Sequence, residues 1–395
     1  MPNELVALGG AFLAAALFGR LGRRVGLPTI PFFMAAGIIV GPHTPGFVLV
    51  EDPEVLELFA AVGLVLLLFH LGIEFSLKDL AAGGRRLLVV GSVYLLLNIG
   101  GGLAFGFILG WGTSEAFVIA GAVGISSSAI ATKLVVELQR LANRETRLIL
   151  GVIVVEDIFL ALYLALLQPI LGGAESPLEG LLLFGRAALF LVLLFALARY
   201  GAAIMNRLVK ADDDELLTVT FVGLAILIAG IATEVGVSDA IGAFMAGIIL
   251  AETEARPRIE QLVLPLRDAF AAVFFFVFGL TIDPSDVSGI FAASMIAVGM
   301  TIVLNVVAGL IGAKVYGFGR REAANVGLSL LGRGEFSLIL ASFALAAGLD
   351  DRIPPFVALY VLVLAILGPI LASRSGRLAR ILPRFGADEE AAARG

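Results

Sequence analysis

The chain has 395 residues, of which 59% are apolar and only 15% are charged, against about 25% charged in an average soluble domain. Its mean hydropathy is +1.03, and apolar runs long enough to cross a bilayer recur throughout, which predicts an all-α polytopic membrane protein. These properties exclude a soluble enzyme, a nucleic-acid binder and a disordered scaffold. Because the chain has no cysteine, only two histidines and no HExxH motif, we expect neither a catalytic zinc site nor a tightly bound cofactor.

A membrane-crossing helix needs about 20 apolar residues, and the sequence predicts thirteen transmembrane helices. Residues 1–373 form the transmembrane domain, and 374–395 form a short tail. The ninth span is short, and glycines interrupt the fifth span at 124–128 and the twelfth at 332–334. In chain order, the spans cover residues 4–22, 28–44, 55–75, 86–110, 114–138, 146–171, 178–205, 215–236, 238–253, 264–282, 287–314, 321–347 and 354–373.

Lysine and arginine alternate strongly from loop to loop. Each loop after an odd-numbered span carries two or three of them, such as Arg20, Arg23 and Arg24 after the first, and the tail adds five. Loops after even-numbered spans carry only Arg352. By the positive-inside rule, the N-terminus lies outside and the tail lies in the cytoplasm of a bacterial inner-membrane protein.

The two halves of the chain resemble each other. Residues 33–37 (FMAAG) of span 2 recur at 244–247 (FMAG) in span 9, and an offset of 207 residues relates Asn98 to Asn305. The same offset superimposes the break of span 5 on that of span 12. Span n therefore matches span n+7, and because seven is odd, the second copy is inserted upside down. This predicts a six-plus-six inverted repeat in which the broken spans 5 and 12 cross near the midplane, as in secondary transporters.

Two adjacent carboxylates, Glu156 and Asp157, lie in the middle of span 6. Inserting an ionisable group this deep costs about 2.5–3.5 kcal/mol, so such groups are functional candidates by default. A carboxylate in a wet pocket binds either a proton or a small cation, and that competition is the chemistry of exchange. The alternative interpretation is a structural pair satisfied by Arg333 or Lys133.

Uncharged polar residues accompany the breaks. Ser126, Ser127 and Ser128 in span 5 offer oxygens suited to a dehydrated alkali ion, although serine is also common where small residues line helix interfaces. Asn98 and Asn305 are expected to hydrogen-bond between helices.

Three further charges lie near the predicted crossing. Arg333 and Glu335 in the break of span 12 are expected to compensate the exposed ends of half-helices, with Glu335 pairing Lys133 or touching the ion. Lys133 is about 10 Å along its helix from Arg140, so snorkelling toward the membrane surface is a second interpretation.

Taken together, these motifs resemble the monovalent cation:proton antiporter-2 family, the membrane domain of sodium/proton and potassium/proton exchangers. The resemblance covers spans 1–13. It rests on 124–131 (GISSSAIA), the pair at 156–157, 274–283 (FFFVFGLTID) and 332–337 (GRGEFS), in this order.

The resemblance implies a homodimer in the lipid bilayer, with spans 1–3 and 8–10 as a dimerisation scaffold. Spans 4–6 and 11–13 would form a mobile ion-binding core that moves by elevator-like alternating access. It also implies that Asp157 is the carboxylate that binds the alkali cation and the proton.

The sequence departs from parts of that family. Electrogenic sodium/proton relatives are similar but carry a lysine in span 11, where this chain has Asn305, so we expect electroneutral exchange. The combination Glu156-Asp157 looks most like bacterial potassium/proton exchangers with a separate regulatory nucleotide-binding subunit. The tail is too short for a fused domain of that kind, so a separate cytoplasmic partner or no regulation is expected.

The preferred interpretation is therefore a potassium/proton antiporter, with sodium/proton exchange as the main alternative. A sodium-coupled organic anion symporter with the same inverted-repeat architecture would be expected to lack the acidic pair. A channel is disfavoured because no TVGYG-type filter occurs, and an intramembrane protease because no G-x-S-G or G-x-G-D motif occurs.

Overall fold

The computed structural model describes residues 4–46, 48–74, 77–171, 213–235 and 239–383, with a few isolated positions between 172 and 212. Every regular element within these ranges is a helix. Predicted span 7 and the tail beyond 383 lie outside the described residues, and so does the side chain of Lys133. The other predicted spans can be compared helix by helix.

The helices follow the predicted spans in order. Spans 1–4 correspond to α1–α4, span 6 to α7, spans 8–11 to α8–α11 and span 13 to α14, whereas spans 5 and 12 each consist of two short helices. The bounds are α1 (Glu4–Arg24), α2 (Ile30–Val40), α3 (Glu57–Glu74), α4 (Leu77–Leu109), α5 (Thr113–Gly124), α6 (Ser128–Glu137), α7 (Thr146–Leu171), α8 (Asp214–Glu234), α9 (Asp239–Ala251), α10 (Arg256–Leu280), α11 (Val287–Tyr316), α12 (Arg320–Ser329), α13 (Glu335–Ala346), α14 (Ile353–Ser373) and α15 (Ser375–Leu378).

Seven helices in the described residues are long and apolar enough to cross a membrane, and α2, α5, α9 and α13 are apolar but shorter. The predicted bounds of span 2 are wrong, because α2 has 11 residues. At 1.5 Å per residue it is about 16 Å long, roughly half of the bilayer core. Gly41 and Pro42 follow its end, and a proline disfavours helical geometry in the residue before it.

Helix α4 begins earlier than span 4 was predicted to begin. Gly84 interrupts it with a φ of 67°, a conformation that glycine adopts without steric cost. The apolar stretch that can cross the membrane starts at this glycine and ends at Leu109. The predicted start at 86 therefore describes the apolar part of α4 and not the whole helix.

The chain forms two compact units. Unit 1 comprises Met1–Phe18, Phe32–Ser76 and Ala161–Thr281, and unit 2 comprises Gly19–Pro31, Leu77–Leu160 and Ile282–Gly395. In their described parts, unit 1 holds α2, α3 and α8–α10, and unit 2 holds α4–α6 and α11–α15 with most of α7. Both broken helices and both carboxylates of α7 therefore belong to unit 2.

Glycines in unit 1 let helices cross at main-chain contact. A Cβ atom on Gly72 of α3 would lie 2.1 Å from the carbonyl oxygen of Phe244 in α9. A Cβ atom on Gly37 of α2 would lie 2.0 Å from a carbonyl oxygen of α10. Real Cβ atoms do not approach backbone this closely, so these crossings require glycine.

The corresponding close contacts in unit 2 position the broken helices. Gly102 of α4 packs on Ala120 of α5, where a Cβ atom would lie 2.9 Å from the Ala120 Cα. Gly327 of α12 packs on α11, where its Cβ would lie 2.5 Å from the Asn305 carbonyl oxygen. One half of each broken helix is thus held against a long neighbour, which fixes where the breaks lie.

We predict that Gly72→Ala destabilises the protein, because the added methyl group forces α3 and α9 apart, and overpacking of this kind costs about 1–3 kcal/mol. The matched control is Gly9→Ala on α1, where an added Cβ would meet no atom within 4 Å. Melting in detergent, followed by circular dichroism, should show a lower Tm for the first variant alone. Equal Tm values would contradict the close crossing.

Candidate functional site

The two interrupted helices of unit 2 meet at their breaks. Residues 125–127 separate α5 from α6, and residues 330–334 separate α12 from α13. The main-chain N–H of Ser127 donates to the carbonyl of Gly332 at 2.8 Å, so the breaks touch directly. The second break begins at Leu330, two residues before the predicted 332, because Leu330 leaves helical geometry with a ψ of 11°.

Arg333 lies at the carboxyl ends of both broken helices. Its side chain is fully buried, with Nε donating to the Val123 carbonyl and Nη1 to the Leu330 carbonyl, each at 2.8 Å. These carbonyls belong to the ends of α5 and α12. A helix carboxyl end carries about −0.5 of an elementary charge, so one guanidinium matches the two ends together.

Glu335 lies at the amino ends of the other two half-helices. It is in the first turn of α13 and is buried. Ser127 caps α6 by accepting the Ile130 N–H at 3.4 Å, and its hydroxyl donates to Glu335 Oε2 at 3.2 Å. Two helix amino ends carry about +0.5 each, so one carboxylate matches them. The predicted pairing of Glu335 with Lys133 involves a side chain outside the described residues.

The carboxylate pair of α7 reaches the first break. Glu156 is buried, and its Oε1 accepts the main-chain N–H of Ser126 at 2.9 Å. Its Oε2 is also buried and makes no hydrogen bond within the described part of the chain. Asp157, the next residue, is half-buried and points about 100° away around the helix. The two carboxylates therefore face different surroundings.

Arg333 does not satisfy this acidic pair by direct contact. Among the described side chains, no carboxylate oxygen lies within 4.0 Å of its guanidinium. The alternative interpretation of Glu156 and Asp157 as a structural pair satisfied by Arg333 or Lys133 stays a prediction, since the Lys133 side chain is outside the described residues. The charge of Arg333 is directed at helix ends instead.

A polar network ties α4 to α11 and to the breaks. Asn305 Nδ2 donates to Asn98 Oδ1 at 3.0 Å, which is the interhelical hydrogen bond expected of these asparagines. The Tyr94 hydroxyl donates to Asn305 Oδ1 and lies 3.0 Å from Ser126 Oγ. Arg333 Nη2 donates to Asn98 Oδ1 at 3.3 Å. All five side chains are buried, so each polar atom depends on partners within the protein.

Sequence reasoning missed three members of this network. Besides Tyr94, these are Tyr360 of α14, whose hydroxyl bonds Thr301 at 2.7 Å, and Ser337 of α13, whose hydroxyl donates to a carbonyl of α5 at 2.7 Å. Tyr94 carried a usable signal, because it precedes Asn98 by one helical turn and shares its face. Tyr360 lies in an apolar run with no polar neighbour to mark it.

The two remaining predicted residues, Ser128 and Lys133, lie on α6. Ser128 is the first residue of α6 and is half-buried. Lys133 lies on the same helix, but its side chain is outside the described residues. Within the described residues, no group of three or more His, Cys, Asp or Glu side chains could hold a metal ion. The candidate ligands are thus the oxygens of α7 and of the breaks.

Comparison with known proteins bears on the whole chain. The sequence model described as "Sodium/hydrogen exchanger, transmembrane" matches residues 11–373. The chain is 39% identical over 388 residues to the K(+)/H(+) antiporter subunit KhtU of Bacillus subtilis, covering 97% of this chain and 96% of that protein. It is 30% identical over 376 residues to the ammonium/H(+) antiporter subunit AmhT of Alkalihalophilus pseudofirmus, covering 93% of this chain and 92% of that protein.

A solved structure has the same fold. The sodium proton antiporter MjNhaP1 from Methanocaldococcus jannaschii superimposes with a TM-score of 0.70, covering 96% of this chain and 98% of that one. At 17% sequence identity, the likeness concerns the fold alone.

We predict that Glu335→Gln lowers the thermal stability in detergent, because two helix amino ends then face each other without a compensating charge. Losing one member of a buried charge balance costs about 3–5 kcal/mol. The control is Glu57→Gln in the first turn of α3, where the carboxylate is exposed and about 0.3–1 kcal/mol is expected. A Glu335→Gln variant with parental Tm and altered cation affinity would instead place Glu335 among the ion ligands.

Proposed function

The chain belongs to the sodium/hydrogen exchanger transmembrane family, which makes it a cation/proton antiporter and not an enzyme, and we propose that it exchanges potassium ions for protons. The observation that carries the proposal is the buried Glu156 Oε2, which has no hydrogen-bond partner within the described residues. A carboxylate oxygen in this state costs free energy unless a proton or a cation binds it. A proton or a cation exchanged at the adjacent Asp157 would offset part of that cost in both halves of a transport cycle.

We assign the exchangeable cation and proton to Asp157, with Glu156 beside it. Ser126, Ser127 and Ser128 contribute oxygens at the break. The charge balance supports this assignment, because Arg333 and Glu335 already match the helix ends and leave the α7 pair for exchange. Asn98, Asn305 and Lys133 act as supporting polar groups of the core.

Potassium is the proposed cation, and sodium is the alternative. The relative KhtU is named a potassium/proton antiporter subunit, and AmhT is named for ammonium, an ion close to potassium in size. The family description names sodium. The neutral Asn305, hydrogen-bonded to Tyr94 and Asn98, adds no ammonium group that would repel a cation or release a second proton.

The proposed architecture is thirteen transmembrane helices in a six-plus-six inverted repeat with crossed broken spans 5 and 12. Contacts between residues 207 positions apart support it: Asn98 bonds Asn305, and Ser126 Oγ accepts from Arg333 at 3.3 Å. Two residues related by a two-fold axis can touch each other only beside that axis. The axis proposed here therefore runs through the breaks, as expected of inverted-repeat transporters.

We further propose that spans 4–6 and 11–13, most of which belong to unit 2, form the mobile ion-binding core of an elevator-like carrier. Spans 1–3 and 8–10, most of which belong to unit 1, form its dimerisation scaffold. The grouping of both breaks and both α7 carboxylates in one compact unit supports this division, because an ion bound there travels with that unit. The alternation of Lys and Arg supports an N-terminus outside and a C-terminal tail in the cytoplasm of the bacterial inner membrane.

The proposed assembly is a homodimer with a separate cytoplasmic regulatory subunit that binds a nucleotide. The names of KhtU and AmhT support a partner, since each is called an antiporter subunit. No tightly bound cofactor enters the proposed cycle, in which the transported cation and protons are substrates.

We predict that Asp157→Asn abolishes cation-driven proton movement in vesicles that contain a pH dye, because an amide keeps the shape of the side chain but cannot exchange a proton. The parent protein should respond to potassium more strongly than to sodium or ammonium, and an uncoupler should collapse the signal. Asp351→Asn in an exposed loop is the matched control and should transport normally.

Glu156→Gln in the same assay should change the apparent affinity or the pH dependence without abolishing turnover. Equal loss in Glu156→Gln and Asp157→Asn would mean that the pair titrates as a unit. Robust exchange by Asp157→Asn would overturn the assignment of the ion-binding carboxylate.

We predict that exchange is electroneutral. If Asp157 alone trades one proton for one cation, the two loaded forms carry the same charge, and Asn305 supplies no second proton. Rubidium gradients combined with a voltage-reporting dye should therefore produce proton movement without a membrane potential. Transport that generates a potential, and that accelerates when the potential is clamped to zero, would show that Glu156 or another group releases a second proton.

A further inference from the structure

The surroundings of the Arg333 guanidinium consist of neutral oxygens. Six lie within 3.5 Å of its nitrogens, and among the described side chains none belongs to a carboxylate. A buried guanidinium ordinarily pairs with an acid, because an isolated buried charge is costly. The contacts are to the carbonyls of Val123, Leu330, Leu331 and Gly332, the hydroxyl of Ser126 and the side-chain oxygen of Asn98.

Such a set of ligands is typical of a site for a dehydrated monovalent cation. Potassium filters use main-chain carbonyl oxygens in place of the hydration shell of the ion. The two carbonyls at 2.8 Å lie at the carboxyl ends of α5 and α12, so their partial charges of about −0.5 add at the same point. The cage thus attracts a single positive charge through neutral oxygens, with the Glu156 carboxylate close by on the main-chain N–H of Ser126 and not in contact with the guanidinium.

Neighbouring hydroxyls complete the cage independently of Arg333. The Tyr94 hydroxyl lies 3.1 Å and Ser126 Oγ 2.9 Å from the Leu330 carbonyl oxygen, and the Tyr360 hydroxyl lies 3.5 Å from that of Val123. The oxygens are therefore held in place by helices α4, α5, α12 and α14, and not by the arginine alone. Removing the guanidinium should leave a preformed cavity lined by oxygen.

We infer that the crossing contains a second monovalent-cation site, distinct from the α7 carboxylates, and that Arg333 fills it as a tethered cation. A guanidinium suits this place because it is planar, always charged and more weakly hydrated than an ammonium. Free guanidinium and, with a smaller effect, potassium are the cations that the emptied cage would bind.

The test measures thermal stability and not transport. A negative result would therefore overturn the second cation site without bearing on the proposed exchange activity. Purified Arg333→Ala, Arg333→Lys and parent protein are melted in detergent and followed by circular dichroism. Each is examined in guanidinium chloride, potassium chloride and choline chloride at about 0.05 M, far below denaturing concentrations. Choline serves as the cation too large for the cage.

In choline, Arg333→Ala should melt several degrees below the parent, with Arg333→Lys in between. Guanidinium should restore most of the lost Tm of Arg333→Ala, potassium should restore part of it, and the parent should gain nothing from either. Glu335→Gln is the matched control, since it disturbs the same crossing by removing an anion and should gain nothing from guanidinium.

The inference is overturned if Arg333→Ala gains no more from guanidinium and potassium than the parent does, or if Glu335→Gln gains as much as Arg333→Ala. Should Arg333→Ala be recovered only as aggregate in choline, membranes are solubilised in guanidinium and choline side by side. The fraction of monodisperse protein then replaces Tm, and equal fractions in the two salts also overturn the inference.

Discussion

Four helix ends meet inside unit 2, and their partial charges are the constraint on which the surrounding structure depends. No water is available in a bilayer core to solvate free N–H and C=O groups, so each must find a partner in the protein. One arginine serves both carboxyl ends through Val123 and Leu330, and one glutamate serves both amino ends beside Ser127. Because the resident charges match the helix ends, the proposed exchange of a cation for a proton is assigned to the carboxylates of α7.

The neutral polar residues hold this balance in place. Tyr94, Asn98 and Asn305 connect the two long helices α4 and α11 to the breaks through buried hydrogen bonds. Glycines at the same helix pairs, Gly102 and Gly327, bring the backbones close enough for these short side chains to meet. Substituting either kind of residue moves helix ends relative to Arg333 and Glu335. The packing of the helices in unit 2 therefore also determines the electrostatic interactions at the helix ends.

The helices, the breaks and the charged residues of the site could be predicted from the sequence, because each shows itself in the composition of a short stretch of chain. A break such as 124–128 shows itself as glycine and serine within an apolar run, and Arg333 shows itself as a charge where none is tolerated without a role. The partners could not be read in the same way, since Tyr94 reaches Leu330 across 236 residues. The short length of α2 was also missed, because apolar composition alone does not mark Pro42, just after its end, as the limit of the helix.

The two broken helices differ in the side chains that carry charge. At an offset of 207 residues, Ser126 of the first break corresponds to Arg333 of the second, and these two side chains touch at 3.3 Å. The same offset takes Glu156 and Asp157 of α7 to Val363 and Leu364 of α14. The acids of α7 thus have no counterpart in α14, whereas Arg333 keeps its charge at the second break, since an arginine stays protonated in proteins. In the proposed cycle, Arg333 therefore stays with the helix ends, and the α7 carboxylates alone would exchange one cation for one proton.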